Sequence, residues 1–202
     1  MEYFRDRQNK IQADFSYRLG IILSQYESLL PSLEENKKYD STLYICALQS
    51  LLTYCSELIK EMSNDHRLYS FFNASIMNDG YFNLGNIVVR TYSPSYNLKI
   101  KNLIAHLRNS LSHPTQFEPE GNIKSTGYTT IKDESNRINK YIFIDSPDIR
   151  NKKDLRRNKS DIRIVKIEIE VWTLKAFVVN LCNLLSQPIK ENWNGIDVTQ
   201  VI

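Results

Sequence analysis

The chain has 202 residues, 42% of them apolar, enough for one soluble domain with a sizeable core and no run long enough to span a bilayer. Its formal net charge of +3 does not by itself single out a polyanionic partner. The start, Met1-Glu2-Tyr3-Phe4-Arg5-Asp6-Arg7, is charged and lacks the apolar stretch and small-residue cleavage site of a secretory signal, so a cytoplasmic location is expected.

The first element is an amphipathic helix. Ile11, Phe15, Leu19, Ile22, Tyr26 and Leu29 follow one another at spacings of three and four, and Pro31 marks the end. Ser32 and Glu35 form a capping-box pattern for a short turn. A second helix starts near Asp40 or Ser41 and buries Tyr44, Leu48, Leu51, Leu52, Cys55, Leu58, Ile59 and Met62. From Asn64 to Tyr92 the period weakens around turn signals such as Asn78-Asp79-Gly80, which suits a packed connector. The three cysteines, Cys46, Cys55 and Cys182, fall in apolar helical patterns and are odd in number. That argues for buried reduced thiols over a disulfide framework.

A third helix reads from Ile100, Leu103, Ile104, Leu107 and Leu111, with Ser93-Pro94 as a start signal and Pro114 as the stop. Beyond it, Ile123 to Ile131, Tyr141 to Ile144, and Ile162, Ile164 and Ile167 are rich in β-branched and aromatic residues and predict two or three antiparallel strands. Between Arg150 and Lys166 eight cations face only Asp154 and Asp161, so the rest of the chain is slightly acidic. Lys152, Lys153, Arg156, Arg157 and Lys159 at the centre of this segment are candidate phosphate contacts, against the plainer reading of a solvated loop. A closing helix runs from about Glu168 to Ser186 and buries Val171, Leu174, Phe177, Val178, Leu181 and Leu185. The fold expected is mainly α, an up-and-down four-helix bundle with a small antiparallel β insertion between the third helix and the last. Residues 1–202 read as a single domain, with a helical core over 1–116 and 168–190 and a β-rich basic insertion over 117–167.

The end of the third helix carries the strongest functional signal. Arg108-Asn109-Ser110-Leu111-Ser112-His113 holds a permanent cation, a polar residue beside it, and an imidazole where Pro114 forces the chain out of the helix. This pattern resembles the signature of the HEPN superfamily, helical-bundle proteins of which many are metal-independent ribonucleases in toxin-antitoxin, phage-defence and RNA-processing systems. Arg108, Asn109 and His113 match that signature one by one. The resemblance implies an RNA endonuclease with no cofactor and no metal. It further implies products with a 2′,3′-cyclic phosphate and a 5′-hydroxyl, and a homodimer whose cleft forms where two motif helices meet. An antitoxin or a nucleotidyltransferase partner is a further implication, as is a non-catalytic RNA- or protein-binding dimer that keeps the bundle.

The chemistry fits the residue types. Histidine exchanges protons near neutrality, and arginine stays charged and grips phosphate oxygens with two parallel donors. Asn109, one turn before His113, could orient the imidazole or donate to phosphate. On an ideal helix Arg108 and His113 point about 140° apart, so one chain brings them together only if His113 leaves the helix, or if two copies meet. Asn102, His106, Asn109 and His113 form a polar strip off the apolar face, and His106 there is a hydrogen-bonded interface residue or a cleft residue. His66 reads as a loop residue or cap, and Ser110 and Ser112 as small helix-surface residues without a nucleophile's surroundings. Pro147-Asp148 with Glu168-Ile169-Glu170 lacks the lysine a metal-dependent nuclease pattern requires.

Overall fold

A computed structural model describes residues 2–34, 40–78, 82, 84–91, 98–113, 126–146 and 165–192. In chain order the named elements are α1 (Glu2–Leu29), α2 (Asp40–Glu61), α3 (Tyr69–Asn73), β1 (Val88–Thr91), α4 (Ile100–Ser112), β2 (Gly127–Lys132), β3 (Ile138–Asp145), β4 (Val165–Glu170) and α5 (Val171–Asn192). The protein is therefore mainly helical, with one small antiparallel sheet ordered β1-β4-β3-β2. The core sits where α2, α4 and α5 meet the inner face of that sheet.

α2 behaves as its sequence pattern predicts. Tyr44, Leu48, Leu51, Leu52, Cys55 and Leu58 are buried, and Ile59 and Met62 pack at the margin. Its stretch Ser41–Glu61 is nonetheless long and apolar enough to cross a membrane by length and composition, unlike the expectation above, but that buried stripe already belongs to the core. α5 likewise buries Leu174, Phe177, Val178, Leu181 and Leu185, with Val171 half-buried.

α1 departs in part from its expected face: Leu19 packs against the core and Tyr26 is half-buried, but the other described members of the stripe stay outside. Phe15, Ile22 and Leu29 are 42%, 51% and 54% exposed, while Ala13, Ser16 and Leu23 are buried. The reason lies in the approach of α5: a Cβ built on Gly20 would meet the Cβ of Cys182 at 3.5 Å, so the small residues of α1 form its contact face. A cleft of about 260 Å³ runs beside this contact, lined by Ser16, Gly20, Ser24, Cys182 and Ser186 among others. At the end of α1, Ser32 Oγ donates back to the Leu29 carbonyl at 2.7 Å and closes the preceding turn. Glu35 itself lies outside the described residues.

The connector is packed as expected, burying Leu68, Phe72, Ile76, Phe82, Leu84 and Ile87. It also supplies a strand that the sequence reading omitted. β1 pairs with β4 through Val89 opposite Ile167, so the sheet has four strands and begins before α4. β2 and β3 form a hairpin whose turn is held by Asp133, which accepts from the backbone N–H groups of Ser135 and Arg137, with Asn136 in the left-handed region at φ 60°. Residues 168–170, assigned above to the last helix, are the end of β4, and α5 starts at Val171.

Alternation along β3 and β4 defines the inner face. Tyr141, Phe143 and Asp145 on β3 and Val165, Ile167 and Ile169 on β4 are buried, and Phe143 lies opposite Ile167. A carboxylate thus follows two aromatics into the interior at the end of β3. Of the thiols, Cys55 and Cys182 are buried, whereas Cys46 is exposed on α2, against expectation. Burial pushes the Cys182 thiol up to about 12, and burial followed by the neighbouring Cys182 raises Cys55 as well. Neither is a thiolate nucleophile near neutrality.

Candidate functional site

α4 is built to hold its motif rigidly. Ile100, Leu103, Ile104 and Leu107 are 0–1% exposed, each contributing about 1.5–3 kcal/mol by burial. The start differs from the expected Ser93-Pro94 signal, which lies outside the described residues. Lys99 is the N-cap with no side-chain cap, and the Ile100 N–H donates instead to the Ala74 carbonyl at 3.0 Å. A neighbouring stretch of chain thus satisfies an orphan donor that a serine would otherwise take.

The other end is where the motif opens. The His113 N–H still donates to the Asn109 carbonyl at 3.2 Å, but His113 itself has φ −107° and ψ 136°. This extended backbone is what a following proline demands, and it frees the ring from the helical wheel. His113 is exposed and Arg108 half-exposed. The Arg108 Nε is buried and has no hydrogen-bond partner among the described residues. Arg108 is close enough to Glu57 of α2 for its charge to help hold that carboxyl below the usual range, after the larger effect of Lys60 at 2.8 Å. The guanidinium therefore lies on the α2 side of α4.

The opposite flank faces the sheet. The Asp145 carboxylate, 1% exposed, places Oδ2 at 2.8 Å from His106 Nδ1 and accepts from Asn109 Nδ2 at 3.0 Å. Because a carboxylate accepts, Nδ1 of His106 carries the proton in this pair. Ser110 is fully buried, not a surface residue, and its Oγ lies 2.9 Å from both the His106 and the Ile144 carbonyl oxygens. α4 and β3 are thus fastened together at the motif by side chains from both.

Asn109, a candidate to orient His113 or donate to phosphate, uses one amide N–H to donate to Asp145. His106 bonds through Nδ1 to the same carboxylate, Asp145. Asp145 itself was missed, although the alternation Tyr141, Phe143, Asp145 marks it as inward-facing. His66 is a loop residue: its Nδ1 accepts from the Leu68 N–H at 3.2 Å, Leu68 being the N-cap of α3 without a side-chain cap, and burial, then Arg67, lowers its pKa. Glu168, part of the dismissed metal pattern, pairs with Lys166 at 3.0 Å and Lys140 at 3.6 Å. Lys152, Lys153, Arg156, Arg157 and Lys159 lie outside the described residues, as does Asp148.

With this geometry in view, the comparison with known families is decisive. The family described as HEPN pEK499 p136 matches residues 1–192. The chain belongs to the HEPN superfamily. Neither the curated proteins nor the solved structures contain a match. Within this HEPN chain the Arg108, Asn109 and His113 positions are gathered at one open helix end, with Arg108 on the α2 flank and Asn109 tied to the sheet.

Proposed function

We propose that this HEPN protein is a metal-independent RNA endonuclease that serves in phage defence or as a toxin. The carrying observation is the end of α4, where His113 stands exposed on extended backbone five residues after a half-exposed Arg108. In this reading a ribose 2′-hydroxyl loses its proton to an imidazole and attacks the adjacent phosphorus. Arg108 stabilises the extra negative charge on the phosphorane oxygens, and the 5′-oxygen leaves with a proton, giving a 2′,3′-cyclic phosphate and a 5′-hydroxyl.

Base and acid are two jobs, and each chain's motif holds one histidine. A homodimer with motif helices facing across a two-fold axis supplies both, and relieves the separation of Arg108 from His113 around α4. The four long helices then form the up-and-down bundle of the family, and the Arg150 to Lys166 segment guides RNA by phosphate contacts. A cytoplasmic location and an antitoxin or nucleotidyltransferase partner complete the proposal.

The test is cleavage of structured and unstructured RNA by purified protein in EDTA. Activity should persist, and Arg108→Ala and His113→Ala should each lower it about 100-fold or more while melting curves stay cooperative. Loss of activity in EDTA, or normal cutting by both variants, overturns the reading. A second reading, a non-catalytic RNA- or protein-binding dimer, is favoured by one observation: the Arg108 Nε is buried. RNA binding without turnover across broad substrates would select it.

A further inference from the structure

Asp145 is a buried acid that the cleavage reading leaves without a task. It ends β3 on the inner face of the sheet, and its Oδ2 binds the amide of Asn109 and the Nδ1 of His106 at 3.0 and 2.8 Å. Because the Asn109 Nδ2 is the atom that donates to Asp145, the Asn109 carboxamide sits with its nitrogen toward Asp145 and its carbonyl oxygen away from it. Among the described residues that oxygen has no hydrogen-bond partner, and Asn109 is half-exposed. An acceptor therefore stands at the open end of α4, next in sequence to Arg108 and one turn before His113.

A phosphate diester presents only acceptor oxygens and cannot pair with a carbonyl oxygen. A ribose 2′-hydroxyl is a donor and can, and DNA lacks it. We propose that Asp145 is a positioning residue that locks Asn109 with its carbonyl oxygen outward, so that Asn109 accepts a hydrogen bond from a ribose 2′-hydroxyl and the site prefers RNA to DNA. The inference rests on the site being one for RNA, but not on cleavage taking place there.

Binding separates the two. The full chain carrying His113→Ala, to prevent cutting, is titrated in EDTA at one salt concentration against a fluorescent single-stranded RNA and the DNA of the same sequence. RNA should bind about two- to tenfold more tightly, the worth of one hydrogen bond. Adding Asp145→Asn lets the carboxamide at 109 turn over and should bring the ratio toward unity. The exchange Asn109→Asp with Asp145→Asn restores an amide-to-carboxylate bond and still leaves an oxygen outward, so the preference should return. Should Asp145→Asn fail to fold, Asn109→Leu removes the acceptor without touching the Asp145–His106 bond and should abolish the preference alone. Equal binding of RNA and DNA by the parent overturns the proposal even if the wild type cuts RNA. So does an unchanged ratio in folded Asp145→Asn or Asn109→Leu, or an exchange variant no better than Asp145→Asn. Preference without cleavage by the wild type upholds this inference and removes the nuclease reading.

Discussion

In α4 the apolar stripe visible in the sequence is the buried one, with Ile100, Leu103, Ile104 and Leu107 almost wholly inside. In α1 much of a stripe of the same period stays outside, with Phe15, Ile22 and Leu29 between 42% and 54% exposed, while Leu19 packs at the core margin and Ala13, Ser16 and Leu23 turn inward. Periodicity reports that a helix has an apolar face; it does not report which face its neighbour takes. Where the neighbour comes close, as α5 does at Gly20, small residues outrank large ones because they allow the backbones to approach.

The sharpest way to break the contrast is truncation on the buried stripe. Leu107→Ala should cost about 2–5 kcal/mol, read as a shift of the denaturation midpoint. Enlarging the α1 contact comes next: Gly20→Leu should destabilise by about 1–3 kcal/mol through overpacking against Cys182. Gly20→Ala, whose new methyl meets only ordinary contact at 3.5 Å, should instead gain about 0.5–1 kcal/mol of helix stability. If Gly20→Leu is harmless, α1 and α5 are not as close as described. On the exposed stripe, Ile22→Ser should change stability by no more than about 0.5 kcal/mol. A larger loss in unfolding at micromolar protein would mean that a second molecule covers that stripe.

The smallest effect concerns His66, outside both helices. Burial and Arg67 depress its pKa, so the folded state prefers the neutral ring that accepts from Leu68. Its share of stability is present above the unfolded pKa and is lost as pH falls through the lower folded value. His66→Asn keeps an acceptor there without titrating. The variant should therefore show a slightly smaller drop in melting temperature than the wild type between about pH 7 and about pH 5.

These cases show why some of the fold was legible and some was not. α2, α4 and α5 were readable because an apolar stripe is a local property, and Pro114 even foretold the extended backbone of His113, whereas the starts of α4 and α5 were misplaced because a neighbouring stretch of chain and strand pairing set them. The α1 face was not, since it depends on who lies opposite. β1 was hidden in a connector because four residues with a distant partner carry almost no signal alone. At the site, Arg108, Asn109 and His113 could be picked out by type and spacing. What Asn109 binds could not, because Asp145 comes from β3 and becomes its partner only through the packing of α4 on the sheet.

The pairing of β1 with β4 makes the stretch between the motif and the last helix indispensable. β1 precedes α4 and β4 comes just before α5, yet β4 is the strand on which β1 hangs. Cutting out residues 117–167 would orphan Val88–Thr91 and uncover the inner aromatics' side of the core. This sheet cannot be lifted off as an ornament.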